Sequence, residues 1–331
     1  MSKTASMVEI WRGGMLESAH SGYAVICHAD GSIVEAWGDP DTLIYPRSSC
    51  KMLQALPLIE SGAADAFDFS SEELALACAS HQGAAIHTDR VARRLDMLDL
   101  SERDLLCGSQ VPSDEVARDA LICSGKTANQ IHNNCSGKHA GFLALSKHLG
   151  AGPDYVAPDH PIQKMIRSAF EEMTDMVSPG FGIDGCSAPN FATSVTGLAR
   201  GVAKMASGGS GAREQAAERL IQAMMTHPDL VAGEGRACTE LMRAMNGKAA
   251  IKTGAEGAFV AILPEKKLGI ALKIADGATR AAECAIAALL VRHGVLDATH
   301  PAAIKRMTGP IKNWRGLETG QMRLAAGFAQ T

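Results

Sequence analysis

Apolar positions near both ends of the chain follow the period of a β-strand. At the amino end, residues 7–13 and 21–38 carry alternating or β-branched apolar runs, and Asp30-Gly31 lies between two of them as a hairpin turn. The same pattern recurs near the carboxyl end, in residues 249–254, 257–265 and 267–277. Both ends of the chain are therefore predicted to contribute strands.

The middle of the chain has a different period. Apolar residues recur there every three to four positions, which is the spacing of one face of an α-helix. The predicted helices are residues 48–62, 70–80, 86–98, 136–150, 160–174, 192–206 and 211–225, with a last one at 279–294. We expect an α+β fold in which an antiparallel sheet from both termini carries an inserted helical subdomain, not an alternating βαβ fold.

The domain prediction follows from this order of elements. A chain of 331 residues can bury a large core, and no stretch is rich enough in Pro or Ser to mark a linker. We expect one domain over residues 1–331. Its sheet is predicted from about 5–40 and 249–330, and its helical part from about 48–247.

Composition and charge exclude several classes of function. The formal charge of −4 attracts neither nucleic acid nor an anionic membrane, and 46% hydrophobic content is ordinary for a globular protein. The opening residues lack the apolar core of a signal peptide, and the apolar tracts are too short to span a bilayer. We expect a cytoplasmic protein whose nine cysteines are reduced thiols.

The first candidate for chemistry is the pair Ser48 and Lys51. Three positions apart, the two side chains would lie one helical turn apart on the same face. A serine hydroxyl is a weak nucleophile near neutral pH, and a lysine can activate it only when burial or another cation lowers the lysine pKa. A serine that merely caps a helix is the structural alternative, and the spacing alone does not decide between them.

A second lysine strengthens the catalytic interpretation. Lys252-Thr253-Gly254 ends a predicted strand far downstream of Ser48, which is the order of the penicillin-binding and β-lactamase signature. The ammonium group of Lys252 would help to keep Lys51 unprotonated by like-charge repulsion. Alone, Lys252 could equally be a solvated lysine at a strand end.

Two further clusters are rich in polar and thiol groups. Residues 131–141 place Cys135, Lys138 and His139 at a glycine-bearing helix start, which suits a carboxylate site or a reactive thiol. No CxxC pair occurs in the chain, so the local pattern by itself does not predict zinc. Asp184 and Cys186 lie between glycines, in what is otherwise an ordinary Asp-Gly turn.

Taken together, these segments resemble one family. From about residue 8 to residue 295 the chain is similar to the Rhizobium-type, or class 3, L-asparaginases. The motifs that carry the resemblance are, in order, RSSCK, CASHQG, NNCSGKHAG, DGCSAPNFA and VAGEGRACTELMRA. The resemblance implies a serine-β-lactamase-like fold and the hydrolysis of L-asparagine to L-aspartate and ammonia by a homodimer.

The resemblance also implies catalytic roles. Ser48 matches the nucleophile and Lys51 its general base, and Ser80 with Lys252 matches a second serine–lysine pair. Backbone N–H groups at the helix start, including that of Ser48, are candidates for the oxyanion hole. Ser80 with Lys252 could relay a proton to the leaving ammonia, after which water releases the acyl-enzyme.

Binding roles are implied in the same way. Asp184 matches a carboxylate that contacts the substrate and suits its α-ammonium group, and Cys238 matches a further cysteine near the site. Arg47 or His139 could hold the α-carboxylate, and the sequence does not choose between them. The resemblance implies a zinc ion that organises the substrate site without hydrolysing the amide, held by Cys135, Lys138 and Cys186.

Two alternatives remain open at this point. The nearer one is a glutaminase or a β-lactam-type serine amidohydrolase with the same machinery. The other, from a different class, is a thiol-rich zinc- or redox-sensing binding protein, in which the serines only cap helices. The second leaves Ser48, Lys51 and Lys252 without an explanation.

Overall fold

The computed structural model describes residues 3–329, in which strands gather near both ends of the chain and helices fill the middle. The strands are β1 Ala5–Arg12, β2 Met15–Cys27, β3 Ile33–Trp37, β4 Leu43–Ile44, β5 Phe181–Ile183, β6 Pro189–Phe191, β7 Thr193–Ser194, β8 Ala250–Thr253, β9 Ala258–Leu263, β10 Leu268–Ile274, β11 Pro310–Lys312 and β12 Glu318–Leu324. The helices are α1 Lys51–Glu60, α2 Ala63–Ala66, α3 Ser71–Ala77, α4 Ala85–Met97, α5 Glu115–Cys123, α6 Ser136–His148, α7 Pro161–Thr174, α8 Val195–Ala206, α9 Ala212–Thr226, α10 Pro228–Val231, α11 Ala237–Met245, α12 Thr279–Arg292 and α13 Pro301–Met307.

These elements form two compact units. The first contains the chain up to Cys50, Thr193–Ser207 and the chain from Glu240 onward, and the second contains Lys51–Ala192 and Gly208–Thr239. The first holds the main sheet and the second holds most of the helices, which confirms the α+β fold class with a sheet built from both ends. The single domain over residues 1–331 stays a prediction, and its residues 1–2 and 330–331 lie outside the described chain.

The main sheet of the first unit has the order β11-β12-β1-β2-β10-β9-β8, and β3 also pairs with β2. Its described pairs are antiparallel, as hairpin connections allow. The predicted hairpin at Asp30-Gly31 is confirmed, because it connects β2 to β3. Strands from the two chain ends meet where β2 pairs with β10 and β1 pairs with β12.

Two helices cover the centre of this sheet. All six residues of β9 are buried, as expected for a strand packed on both faces, and α8 and α12 both contact it. Gly269 of β10 lets α8 approach closely, since a Cβ there would lie 2.2 Å from the carbonyl oxygen of Ala199. The approach of backbone to backbone explains why the strand carries glycine at this point.

The second unit is built around α1, which packs against α6, α7 and α9. Every residue from Lys51 to Ile59 is buried, including the polar side chains of Lys51 and Gln54. Burial of a charged side chain in a helix core is costly unless hydrogen bonds compensate for lost water. The amino end of α1 is therefore a place where function, and not packing alone, explains the residue type.

The predicted helix 48–62 differs at its start. Residues Arg47–Cys50 form a 3₁₀ turn, and the α-helix begins only at Lys51. Arg47 has φ of 53°, in the left-handed region, which no helix start requires and which costs energy for a residue with a side chain. Ser48 therefore precedes the helix in a strained turn.

Candidate active site

The Ser48 turn connects β4 to α1. Ser48 is half-buried in it, whereas Ser49 is fully buried and its Oγ donates a 2.7 Å hydrogen bond to the carbonyl oxygen of Pro46. The Sγ of Cys50 lies 3.2 Å from the carbonyl oxygen of Arg47. Ser49 and Cys50 thus stabilise the turn from inside, and Ser48 is the more accessible of the two serines.

Strand β8 supports the same turn within the first unit. Gly254 follows the strand, and a Cβ there would lie 2.6 Å from the carbonyl oxygen of Pro46 and 3.0 Å from the nitrogen of Ser49. Lys252 is 1% exposed, and its Nζ donates a 2.7 Å hydrogen bond to the carbonyl oxygen of Thr253. The Lys-Thr-Gly segment therefore lies directly beside the turn that carries Ser48.

The ammonium group of Lys51 lies in the second unit and is 1% exposed. Its Nζ donates to the carbonyl oxygen of Ala79, lies 3.0 Å from Ser80 Oγ and lies 3.0 Å from Cys135 Sγ. Three acceptors surround a group that carries three protons when charged, which compensates for its removal from water. Lys51 thus connects Ser80, the predicted second serine, to Cys135 of the predicted thiol cluster (Cys135, Lys138 and Cys186).

Cys135 and Cys186 form a thiol pair next to this lysine. Cys135 is 5% exposed and Cys186 is 4% exposed. Interaction with Cys135 lowers the pKa of Cys186 well below its usual range, opposed by burial and helped by the ammonium of Lys138. Interaction with Cys186, together with burial, raises the pKa of Cys135, whose Sγ donates a 2.8 Å hydrogen bond to Asn134 Oδ1. Of the two thiols, Cys186 is therefore the more acidic.

Lys138 supplies the positive charge for the thiolate of Cys186. Its Nζ lies 3.2 Å from Cys186 Sγ. Burial lowers the pKa of Lys138, but attraction to Cys186 and Cys135 outweighs it, so the pKa is raised and the side chain is an ammonium. The arrangement is a buried ion pair, which is stable only when hydrogen bonds and charge are matched as they are here.

His139 is fully buried beside the thiol pair. Tyr155 Oη accepts a hydrogen bond from the nitrogen of Leu106, so its proton can go to His139 Nδ1, 2.8 Å away. Burial lowers the pKa of His139 to about 4, so the ring is neutral near pH 7. By geometry its Nε2 makes no hydrogen bond within the described residues, yet Cys186 is close enough to raise the His139 pKa against the effect of burial.

Asp184 and Cys238 complete the predicted residues. Asp184 is half-buried in the turn between β5 and β6, where its Oδ1 accepts a 2.6 Å hydrogen bond from the nitrogen of Gly185. The negative charge of Asp184 also helps to raise the pKa of Lys138. Cys238 is 1% exposed near the beginning of α11. Its contribution to a substrate site stays a prediction.

The donor atoms for zinc are partly assembled. Within residues 3–329 there is no group of three or more His, Cys, Asp and Glu side chains arranged to hold a metal. The predicted set contains a lysine, and its two sulfurs and one amine are donors that zinc accepts. Zinc could bind only after Cys135 and Lys138 lose their protons. With that condition the chemistry of the donor set fits zinc.

Several contacts could not be read from the sequence. Lys51 and Ser80 are 29 residues apart, and Lys138 and Cys186 are 48 residues apart. The side chain of Asn133 accepts from the nitrogen of Cys135 and so shapes the start of α6. The only signal for these partners was their clustering in polar, glycine-bearing segments.

Comparison with known proteins decides the family. The sequence profile of a family described as L-asparaginase II matches residues 8–324. The chain belongs to the L-asparaginase II family. Members of this family are amidohydrolases, so the broad prediction of an amidohydrolase is confirmed. No curated protein matches the chain.

Solved structures give a weaker comparison. A β-lactamase from Mycobacterium bovis is 13% identical, with a TM-score of 0.45, over 83% of this chain and 95% of the other. A protein assigned as a β-lactamase from Bacteroides dorei is 13% identical, with a TM-score of 0.41, over 77% and 87%. An octameric penicillin-binding protein homologue from Pyrococcus abyssi is 14% identical, with a TM-score of 0.37, over 89% and 80%. These values are too low to support a functional argument for this family member.

A last observation concerns membranes. Among the described residues, none of the helices has the length and apolar character that crossing a bilayer requires.

Proposed function

We propose that the protein hydrolyses L-asparagine to L-aspartate and ammonia through an acyl-enzyme on Ser48. The observation that carries this proposal is the buried Nζ of Lys51, which lies 3.0 Å from the hydroxyl of Ser80 and one helical turn along the chain from Ser48. An amine that contacts one serine and follows another by three residues is suited to move protons in a serine–lysine mechanism.

The first half of the reaction forms the ester. Lys51, in its neutral form, accepts the proton of Ser48 while Oγ attacks the side-chain amide carbon. Backbone N–H groups of the Ser48 turn would stabilise the oxyanion. Lys51, now an ammonium, has the three acceptors that its protons need, so the arrangement around Nζ matches the state after proton uptake.

The second half releases both products. Ser80, which accepts from Lys51, can donate its own proton to the departing nitrogen while it takes one from Lys51. Ammonia leaves, and a water molecule then attacks the ester with Lys51 again as the base. Free Ser48 and L-aspartate result. Lys252 is proposed to assist Ser80, as the family resemblance implies.

Substrate charges suggest the binding roles. Asp184 would pair with the α-ammonium group. Arg47 is the better candidate for the α-carboxylate, because a guanidinium is always charged and can bind a carboxylate with two hydrogen bonds. His139 is neutral near pH 7, with its pKa lowered to about 4 by burial. Cys238 is kept as a further residue near the substrate.

Zinc is proposed as an organiser of this site. Cys135, Lys138 and Cys186 would hold it, and the ion would supply a positive charge that orders polar groups of the substrate. The reaction steps above need only the side chains of the chain itself. We also propose a homodimer in the cytoplasm, where the nine free thiols of the described chain suit reducing conditions.

The experiment that tests the function is a substrate panel. Purified protein, with and without added zinc, is incubated with L-asparagine, L-glutamine, β-aspartyl amides and a chromogenic cephalosporin. Fastest ammonia release from L-asparagine is the expected result. Faster turnover of L-glutamine or of the cephalosporin would overturn the substrate, and tight zinc binding without any turnover would indicate the sensor protein.

A matched pair of variants tests the nucleophile. Ser48→Ala removes the proposed attacking hydroxyl, and we expect loss of ammonia release by at least about 10³-fold. Ser49→Ala is the control, because its hydroxyl is bonded to Pro46 inside the same turn. Comparable rates in wild type and Ser48→Ala would rule out Ser48 as the nucleophile.

A further inference from the structure

The side chain of His81 connects the turn that carries Ser80 to the amino end of α6. The ring is 1% exposed. Its Nδ1 accepts a 3.1 Å hydrogen bond from the nitrogen of Gly83, and its Nε2 lies 2.9 Å from Ser136 Oγ. Ser136 is the first residue of α6 and directly follows Cys135. One imidazole therefore spans two segments of the candidate site.

The hydrogen bonds fix the tautomer of His81. A backbone N–H can only donate, so Nδ1 must be the unprotonated nitrogen. The hydroxyl of Ser136 donates to the carbonyl oxygen of Ile131 at 2.7 Å, so it accepts from Nε2–H. Two independent constraints thus give the same neutral form. The chain of donors runs in one direction from Gly83 through His81 and Ser136 to Ile131.

Charge around the ring favours the same neutral form. Burial lowers the pKa of His81 well below its usual range, and the neighbouring His87, Lys51 and His132 lower it further. His87 stacks on the ring, with the centroids 4.7 Å apart and the planes 9° from parallel. A charged imidazole would have no acceptor for the N–H of Gly83. The link from Gly83 through His81 to Ser136 therefore requires a neutral His81 ring.

Backbone hydrogen bonds hold the same turn. The nitrogen of Ser80 donates to the carbonyl oxygen of Val231, and that of His81 donates to the carbonyl oxygen of Asn134. The side-chain link to Ser136 adds a second connection between this turn and the start of α6, on the other side of Cys135 from Asn134. The hydroxyl of Ser80 and the sulfur of Cys135 are both 3.0 Å from Lys51 Nζ, so their relative position decides the geometry of the lysine.

We propose that His81 is a positioning residue, which holds Ser80 and Cys135 in register around Lys51 by linking Gly83 to Ser136. This inference rests on the proposed function, because it assigns the link a role in the proton path through Ser80. The link does not touch the substrate. Its loss changes the rate of the chemical step more than the binding of L-asparagine.

Two conservative variants separate the two halves of the link. In His81→Gln the amide nitrogen overlies Nε2 and can still donate to Ser136. In His81→Asn the amide group overlies Nδ1, so the bond from Gly83 is kept and the bond to Ser136 is lost. We expect kcat for L-asparagine within about threefold of wild type in His81→Gln and about tenfold to 100-fold lower in His81→Asn, with KM changed little in both.

His160 provides a matched control. It is also a buried histidine, its Nδ1 accepts from the nitrogen two residues ahead, and its Nε2 bonds to the carbonyl oxygen of Gly152. We expect His160→Asn to lower the melting temperature but to leave kcat unchanged. Equal kcat losses in His160→Asn and His81→Asn, or a kcat in His81→Asn at least as high as in His81→Gln, would overturn the inference.

A spectroscopic readout is independent of turnover. Two-bond ¹H–¹⁵N spectra of imidazole-labelled protein report which nitrogen carries the proton, and His81→Gln identifies the His81 signal among the eleven histidines. We expect the Nε2–H tautomer at pH 7. An Nδ1–H tautomer or a charged ring overturns the positioning role whichever substrate is used. Absence of ammonia release from wild-type protein would overturn the proposed function instead.

Discussion

The Ser48 turn and the Ser80 turn each carry a serine for which a role in the reaction is proposed, but they are built in different ways. The Ser48 turn is local, since Ser49 bonds to Pro46 three residues earlier and Arg47 has a left-handed backbone. Ser80 lies in a turn held by long-range hydrogen bonds and is 8% exposed. The accessible, strained turn suits a nucleophile, and the enclosed turn suits a proton relay.

Strain and enclosure have different energetic consequences. A residue such as Arg47 in the left-handed region costs about 1–3 kcal/mol, and such strain is found where a side chain must be aimed at a reacting group. The enclosed turn has no comparable strain at Ser80. The position of Ser80 is set by the backbone hydrogen bonds of its turn, and its hydroxyl lies 3.0 Å from Lys51 Nζ. The comparison predicts that the two serines differ in how much activity depends on them.

Removing the lysine beside both turns should have the largest effect. Lys51→Met keeps most of the side-chain length but removes the base, so kcat should fall by at least about 10³-fold. Ammonia release from L-asparagine measures it. Lys147→Met is the control, since Lys147 also donates to a backbone carbonyl, that of Leu98, outside the site. A Lys51→Met enzyme with more than a tenth of wild-type kcat would contradict the assigned base.

Ser80→Ala should have a smaller effect. It removes a relay and leaves the nucleophile and its base in place, so kcat should fall by about 10²-fold, within the range for loss of general acid–base assistance. KM for L-asparagine should change little, because Ser80 is enclosed. Steady-state kinetics at several substrate concentrations separate kcat from KM. A loss as large as that in Ser48→Ala would mean that the nucleophile and relay have been assigned to the wrong serines.

The two turns also differ in how far the sequence could predict them. The spacing of Ser48 and Lys51 is local and can be read directly, whereas the contact of Lys51 with Ser80 depends on where a buried turn lies in three dimensions. The family resemblance assigned Ser80 to the site and paired it with Lys252. That pairing stays a prediction. Within the second unit, the Ser80 hydroxyl accepts a hydrogen bond from Lys51.

The same contrast applies to the fold. The buried strands β9 and β10 and the long helices are rich in apolar residues, so the sequence predicted them well. Helix α5 has no buried residue, and strand β12 is exposed or half-buried along its length. Neither of these two elements is among the helices and strands that the sequence predicted. The 3₁₀ turn at Ser48 was missed for another reason, since a left-handed Arg47 has no signature in composition.

Loss of zinc from the proposed Cys135, Lys138 and Cys186 set should lower activity less than Ser80→Ala does. We expect zinc in protein purified without chelator, and its loss in Cys135→Ala. Activity should fall about tenfold on removal of the ion, because the ion is proposed to organise the site and not to carry the reaction. Cys284→Ala is the control, as Cys284 is a core thiol whose pKa burial raises to about 12.

Metal analysis and ammonia assays on both variants check this prediction. Zinc content equal in wild type and Cys135→Ala would remove the proposed ligand set. Wild-type protein without zinc that gains no activity when zinc is added would also count against it. Cys284→Ala must keep its zinc, because otherwise the loss of zinc in Cys135→Ala could not be attributed to a lost ligand.

Gly254→Ala should loosen the Ser48 turn without touching the Ser80 turn. The new Cβ would lie 2.6 Å from the carbonyl oxygen of Pro46, so the turn or the strand end must shift. We expect a loss of about 1–3 kcal/mol in the free energy of unfolding, as for other overpacked sites. Urea denaturation measures it. Gly152→Ala is the control, because a Cβ at Gly152 meets nothing within 4 Å, and a similar loss there would refute the steric explanation.

Ser49→Ala is the smallest test and the one that separates adjacent serines. The Ser49 hydroxyl donates to Pro46 and is fully buried, so its removal costs one hydrogen bond, about 1 kcal/mol. The backbone nitrogen of Ser49 still donates to the same carbonyl at 3.2 Å, so the acceptor keeps a partner. The urea midpoint should fall slightly, while kcat stays within about twofold of wild type. A large loss of kcat at unchanged stability would assign the chemistry to the buried serine, and with it the contrast between an open nucleophile and an enclosed relay would be lost.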